Sequence, residues 1–179
     1  MKLFLIVEGK SDKKLFSSLE EWFHSHEIQV KIIIAGSKKE LIRDALKHYK
    51  LAFYNGADKV LFLPDQNGDP CALYTKQKFQ NILHLNNIDI IVLKKELEAW
   101  ILADGECIRR IIRSDYNPSG ITDNIDNPKE NLHAKLRRYL KHPVTTNEAI
   151  ECVSPYFSIE RAARYNTSAK RFKNIIENL

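Results

Sequence analysis

Leu3-Phe4-Leu5-Ile6-Val7-Glu8-Gly9-Lys10-Ser11-Asp12 and Val60-Leu61-Phe62-Leu63-Pro64-Asp65-Gln66-Asn67-Gly68-Asp69 share one plan: a short apolar run that ends in an acidic turn. Neither run alternates apolar with polar residues, which fits strands buried on both faces of a parallel sheet. In an open sheet of that kind, ligands bind beyond the carboxyl ends of the strands, where the strand order reverses. Carboxylates carried on two such ends can meet in space although far apart in the chain. Glu8 and Asp65 hold those places. A cluster of this kind attracts a hard divalent cation such as Mg²⁺, the usual partner of phosphate chemistry.

Working outward, the pattern alternates. Residues 13–24 carry Leu15, Phe16, Leu19, Trp22 and Phe23 at helical spacing, with Asp12 or Ser11 as N-cap. Val30–Ile34 reads as a second strand, 38–50 as a helix with Leu41, Ile42, Ala45, Leu46 and Tyr49, and 74–85 as a helix with Phe79, Ile82 and Leu83. Ile88–Leu93 reads as a fourth strand, and helical spacing resumes from Glu96. Strands alternating with amphipathic helices predict an α/β fold: a small Rossmann-like parallel sheet of about four strands, helices on both faces, and right-handed crossovers. After residue 105 the pattern is helical, over 105–113, 129–141, 146–152 and 167–178, around an Asn, Asp, Pro and Gly-rich loop at 114–128. The expected organisation is an α/β domain over 1–104 and a helical extension over 105–179 packed on it.

Bulk composition narrows the function classes. At 179 residues, 44% hydrophobic and 28% charged, the chain is an ordinary globular size and mixture. No apolar run approaches the roughly 20 residues of a membrane span. The apolar N-terminus stops at Glu8 with no small-residue cleavage site, so it is read as a strand and not a signal peptide. Cys71, Cys107 and Cys152 are odd in number and widely spaced, which argues for a reducing, cytoplasmic setting over a disulfide framework. His24 and His26 lack any zinc-type partner set and read as a solvated helix end. Residues 1–104 carry 15 basic and 14 acidic side chains and residues 105–179 carry 13 and 9, so the formal charge of +5 is concentrated after residue 104. That is compatible with a nucleic-acid partner.

Each candidate site residue has an ordinary structural alternative. Glu8-Gly9 offers a carboxylate on a tight turn, or merely a solvated turn. Lys10-Ser11 after a glycine is not a phosphate-binding P-loop, because the position of the earlier glycine is Phe4. Asp65, Asn67 and Asp69 are metal-ligand candidates, or a plain Asx-rich turn; an EF-hand is excluded because its closing glutamate position is Lys76. Glu98 in Glu96-Leu97-Glu98-Ala99-Trp100 is a third carboxylate, or a helix-start charge. Ser37, Lys38 and Lys39, after the second strand, suit phosphate contact, as does Lys10; the alternative is an N-cap with surface lysines. Arg137, Arg138, Lys141, Arg161, Arg164, Lys170, Arg171 and Lys173 form a basic set that reads first as a solvated face, with Tyr165 and Phe172 as core.

Taken together, Val7-Glu8-Gly9-Lys10-Ser11-Asp12 and Asp65-Gln66-Asn67 resemble the TOPRIM superfamily, the metal-binding α/β domain of topoisomerases, bacterial primases and related nucleases. Glu96 to Asp104 and Ser158 to Phe172 resemble segments of prokaryotic TOPRIM-like proteins related to the overcoming-lysogenization-defect nucleases. The resemblance implies that Glu8 transfers a proton and that Asp65 is the main ligand of Mg²⁺ or Mn²⁺, in a phosphodiester-processing enzyme acting on DNA or RNA. The family's second aspartate is Asn67 here, an oxygen donor without charge, for which Asp69 or Glu98 would compensate. The same departure supports an alternative: a non-catalytic TOPRIM-like subunit that binds nucleic acid or a partner, working with an ATPase. A phosphoacceptor role for Asp65, as in a receiver domain, lacks the paired acids near the first strand's end.

Overall fold

Strands β1 (Lys2–Val7), β2 (Gln29–Ile34), β3 (Lys59–Leu63) and β4 (Asp89–Ile90) form one all-parallel sheet in the order β2-β1-β3-β4. The computed structural model of the chain describes residues 1–83, 89–118 and 120–179. The chain divides into two compact units, Met1–Leu93 and Lys94–Leu179. The division falls ahead of the 104/105 boundary expected from the sequence and assigns the Glu96–Asp104 segment to the second unit.

In the first unit the strands alternate their side chains between two faces. Phe4, Ile6, Val60, Phe62, Ile90 and Val92 join one core with Leu41, Ala45, Ala52, Phe79 and Leu83. These last come from α3 (Lys38–Arg43), α4 (Ala45–Tyr54) and α5 (Ala72–Leu83). Leu3, Leu5, Val7, Leu61 and Leu63 point to the opposite face and are equally buried. Helices α1 (Lys10–Ser17) and α2 (Glu20–His24) lie beside β2. The expected α/β fold is therefore the one observed, and burial on both faces explains why the β1 and β3 sequences lack alternation.

The helices are shorter than their apolar periodicity suggests. The stripe over 13–24 is divided at Ser18, whose hydroxyl donates back to Leu15 O at 2.7 Å and competes with the helical ladder. The first helix begins at Lys10, with Gly9 as N-cap, and Asp12 accepts from the Gly9 N–H at 2.7 Å. The 38–50 stripe is split at Asp44 (φ −100°, ψ 15°), and its second half runs on to Tyr54. The fourth strand pairs through Asp89–Ile90, with one further bridge between Asp65 and Leu93. Ile88, residues 84 and 85 of the expected third helix, and Ser119 lie outside the described residues.

The second unit holds α6 (Glu98–Ala103), α7 (Gly105–Ile112), a 3-10 turn (Thr122–Asn124), α8 (Pro128–Leu140), α9 (Thr146–Val153), α10 (Ile159–Ala162) and α11 (Thr167–Glu177). Trp100 is fully buried; its Nε1 donates to Ser168 Oγ at 2.7 Å and its ring meets Phe172 at 5.4 Å. Asp104, also fully buried, caps α7 through the Cys107 N–H at 3.1 Å and accepts from Ser158 N at 2.8 Å. Arg161 closes on it through Nε at 2.7 Å and Nη2 at 2.9 Å. Tyr165, expected in the core, is 41% exposed. No described helix is long and apolar enough to cross a membrane.

Candidate functional site

The chain runs from β1 outward to β2, then returns past β1 to β3. The strand order therefore reverses at the β1/β3 pair, and the crevice for a ligand opens beyond their carboxyl ends. Glu8 and Asp65 stand there, just beyond the register pair Val7 and Leu63. Leu93 N donates to Pro64 O and Gln66 N to Leu93 O, both at 2.8 Å. Pro64 and Gln66 thus turn their polar groups toward Leu93. By alternation the Asp65 N–H faces β1, where it donates to Glu8 Oε1 at 2.9 Å. The Glu8 carboxylate takes the place of the next backbone carbonyl in the β1–β3 ladder, which brings it against the main chain of Asp65.

Glu8 is half-buried. Burial pushes its carboxyl up to about 7, opposed by the Asp65 N–H and reinforced by the nearby Asp12 charge. The Lys38 charge and the Lys38 backbone N–H pull the other way. Asp12 is buried and also raised, chiefly by burial, against the stabilising Gly9 and Glu8 N–H groups. A carboxyl near 7 can hold or release a proton at neutral pH, the range in which general acid–base catalysis works best.

The loop after Asp65 is organised around an ammonium group. Lys38 Nζ donates to Gln66 O and Asn67 O, both at 2.7 Å, and lies 2.8 Å from Asp69 Oδ2. Three acceptors match the three protons of a lysine head group. Asp69, its side chain 6% exposed, also receives Lys78 Nζ at 2.5 Å and Thr75 Oγ1 at 2.7 Å. Burial alone would raise the Asp69 carboxyl, but the bonds from Lys38, Lys78 and Thr75 outweigh it and hold it well below the usual range.

The expected residues therefore separate into groups. Glu8, Asp65, Lys38 and Asp69 are gathered at one sheet edge, with Lys38 directed into the loop and Asp69 saturated by lysines. Ser37 caps α3, accepting from Glu40 N at 3.2 Å and donating to Glu40 Oε2 at 2.8 Å. Gly36 beside it has φ +107°, and a Cβ there would stand 2.5 Å from Glu40 Oε2. Lys10, Lys39 and Asn67 are exposed. Glu98 opens α6 in the second unit and is 7% exposed. Among the described residues, no three His, Cys, Asp or Glu side chains form a group that could hold a metal ion. Sequence reasoning missed Asp12 as a neighbour of Glu8, although its place at the third position of a helix opened by Gly9 was a usable signal. It also missed Thr75 and Lys78, for which spacing carried none.

Comparison of the chain with known protein-family models, with curated proteins and with solved structures finds no match.

Proposed function

We propose that the first unit is a TOPRIM-like module that processes phosphodiester bonds in DNA or RNA, with Glu8 moving the proton and Asp65 as the companion carboxylate. The observation that carries this reading is the 2.9 Å bond from Asp65 N to Glu8 Oε1 at the β1/β3 switch point. It ties the raised Glu8 carboxyl to the main chain of a second acidic residue, where a parallel sheet receives its ligand. The donor set fits Mg²⁺ or Mn²⁺ through Glu8 and Asp65, since Mg²⁺ commonly takes one or two carboxylates and keeps several waters. Asp69 does not fit as a ligand, because Lys38 and Lys78 already neutralise it. Asn67 adds an uncharged oxygen donor, and Glu98 is not required. When bound, such an ion polarises the phosphate and offsets its developing charge.

The residues themselves do three things. Glu8 accepts or returns a proton at Oε2 while Oε1 stays tied to the Asp65 N–H. Lys38 holds the loop that follows Asp65 through Gln66 O, Asn67 O and Asp69. Lys10 and Lys39 supply exposed positive charge for a phosphate backbone. The neutralised Asp69 together with Asn67 leaves fewer ionised groups than the family signature implies. That favours a second reading, a binding subunit without chemistry that works with an ATPase partner in the cytoplasm.

Cleavage of single-stranded DNA, duplex DNA and structured RNA, with Mg²⁺ or Mn²⁺, separates the two. The first reading expects metal-dependent cutting by the wild type that falls by about 100-fold or more in Glu8→Gln and Asp65→Asn. No cutting by the wild type, or equal cutting by all three, selects the binding subunit.

A further inference from the structure

A groove of about 650 Å³ between α3 and α5 is lined by Lys38, Lys39, Ile42, Arg43, Lys78 and Ile82, together with residues 67–69 of the loop. Its walls are two helical stripes. Lys38, Lys39, Ile42 and Arg43 lie within one turn and a half of α3, and Lys78 and Ile82 stand four apart on α5. Four cations face a single carboxylate, and that carboxylate is covered by Lys38 and Lys78. Lys39 is exposed and makes no ion pair among the described residues. Arg43 pairs only with its chain neighbour Asp44, at a position where its side chain is 60% exposed, so it stays accessible to a competing anion. Ile42 and Ile82 add apolar surface to the same lining.

The stripe on α5 continues one turn back to Tyr74, four residues before Lys78. Lys78 Nζ lies over the Tyr74 ring at 4.6 Å, and Tyr74 remains 46% exposed. Leu73 beside it is 62% exposed. A cationic groove with apolar lining and an exposed aromatic ring beside one of its lysines matches the chemistry of an unpaired nucleic-acid strand, whose phosphates need cations and whose bases need flat apolar partners. A duplex keeps its bases inside and has no use for the apolar lining or the exposed ring. The size falls in the range of about 300–1,000 Å³ that holds one small ligand, so it suits a nucleotide or two and not a double helix. The groove also borders the loop that begins at Asp65, so a strand lying in it leads toward the Glu8–Asp65 pair.

We infer that this α3/α5 groove binds a single strand of nucleic acid, with Lys39, Arg43 and Lys78 on its phosphates and Tyr74 under a base. The inference rests on the nucleic-acid reading above and adds to it the form of the substrate and the track it follows.

The test is fluorescence anisotropy of the full-length protein, in EDTA so that no cutting intervenes. The probes are a labelled oligothymidine strand, its duplex with oligoadenosine, and thymidine monophosphate as competitor. The expected result is preferred binding of the strand, weakened about 10-fold in the Lys39→Ala/Arg43→Ala double variant and about 10-fold in Tyr74→Ala. Lys47→Ala/Lys50→Ala, on α4 outside the groove, serves as the control and is expected to bind as the wild type. Circular dichroism of each variant shows whether it is folded. Equal binding by the folded double variant and the wild type overturns the assignment, as does preference for the duplex. Displacement by the mononucleotide at the same concentration as by the strand overturns it too, making the groove a nucleotide pocket. The wild type keeps the two proposals apart: if it binds the strand in EDTA but cuts nothing with Mg²⁺, the groove stands and the catalytic reading falls.

Discussion

Glu8 joins two demands that usually conflict. It completes a β-ladder as an acceptor, which favours its charged form, and it sits half-buried beside Asp12, which favours the neutral form. Burial wins, and the carboxyl rises from its usual 4.5 to about 7. A raised acid stabilises the fold most below its unfolded pKa and loses that contribution as pH climbs through the folded value. In metal-free protein, urea unfolding between about pH 5 and 8.5 should therefore show the wild type losing about 1–3 kcal/mol relative to Glu8→Gln, after discounting for partial exposure. Glutamine keeps the acceptor for Asp65 N–H and cannot ionise. Parallel pH profiles for the two proteins would show that Glu8 is not perturbed. Asp69 carries the opposite sign. Its depressed carboxyl contributes stability above the ordinary range near 3.8 and loses it as pH falls through the folded value. Removing the charge with Asp69→Asn leaves Lys38 and Lys78 facing each other without a counter-ion. The expected cost is about 1–3 kcal/mol in the same unfolding measurement, together with undiminished Mn²⁺ affinity by calorimetry if Glu8 and Asp65 are the ligands.

At the scale of elements, strands were more legible than helix ends. The unbroken apolar runs at 3–7 and 60–63 marked buried parallel strands because burial on both faces erases alternation. From there the alternation with helical stripes led to the sheet, and the strand ends led to Glu8 and Asp65. Helix boundaries were hidden because their causes are side-chain bonds absent from a periodicity: Ser18 turning back on Leu15, Asp44 leaving the helical conformation, and Asp104 ending α6 and starting α7. Lys38 was legible as a helix-start lysine, but its inward direction depends on carbonyls of Gln66 and Asn67 that no local pattern reveals. Asp104 shows how much one such residue decides. It fixes the starts of α7 and α10 and is paired with Arg161 while fully buried. Asp104→Ala should cost about 3 kcal/mol, since it leaves two N–H groups without their acceptor and takes from Arg161 its bidentate partner. Glu106→Ala, which removes a partly exposed partner of Arg110 and a more distant carboxylate 3.7 Å from Arg161, should cost less than about 1 kcal/mol. Equal effects of the two changes on the urea midpoint would refute the structural weight given to Asp104.

For the whole molecule, a formal charge of +5 and a pI near 9.0 are modest for a nucleic-acid-binding chain. Two modes of binding would use that charge differently. Diffuse attraction spreads phosphate contacts over many basic side chains, including those in residues 105–179. A defined groove uses the few cations that line it. Salt dependence tells these apart, because each neutralised phosphate of a single strand adds about −0.7 to the slope of log affinity against log salt. Lys39, Arg43 and Lys78 together should give a slope of about −2, which is roughly a 20-fold loss of affinity between 50 and 200 mM salt. Lys39→Ala/Arg43→Ala should remove about 1.4 of that slope and leave it shallow. Under diffuse attraction the wild-type slope would be steeper, and the same double variant would change it only by a small fraction. An anisotropy titration at four salt concentrations therefore decides whether the charge acts through one track or through the surface at large. A steep slope that the double variant leaves intact would assign binding to cations outside the α3/α5 groove.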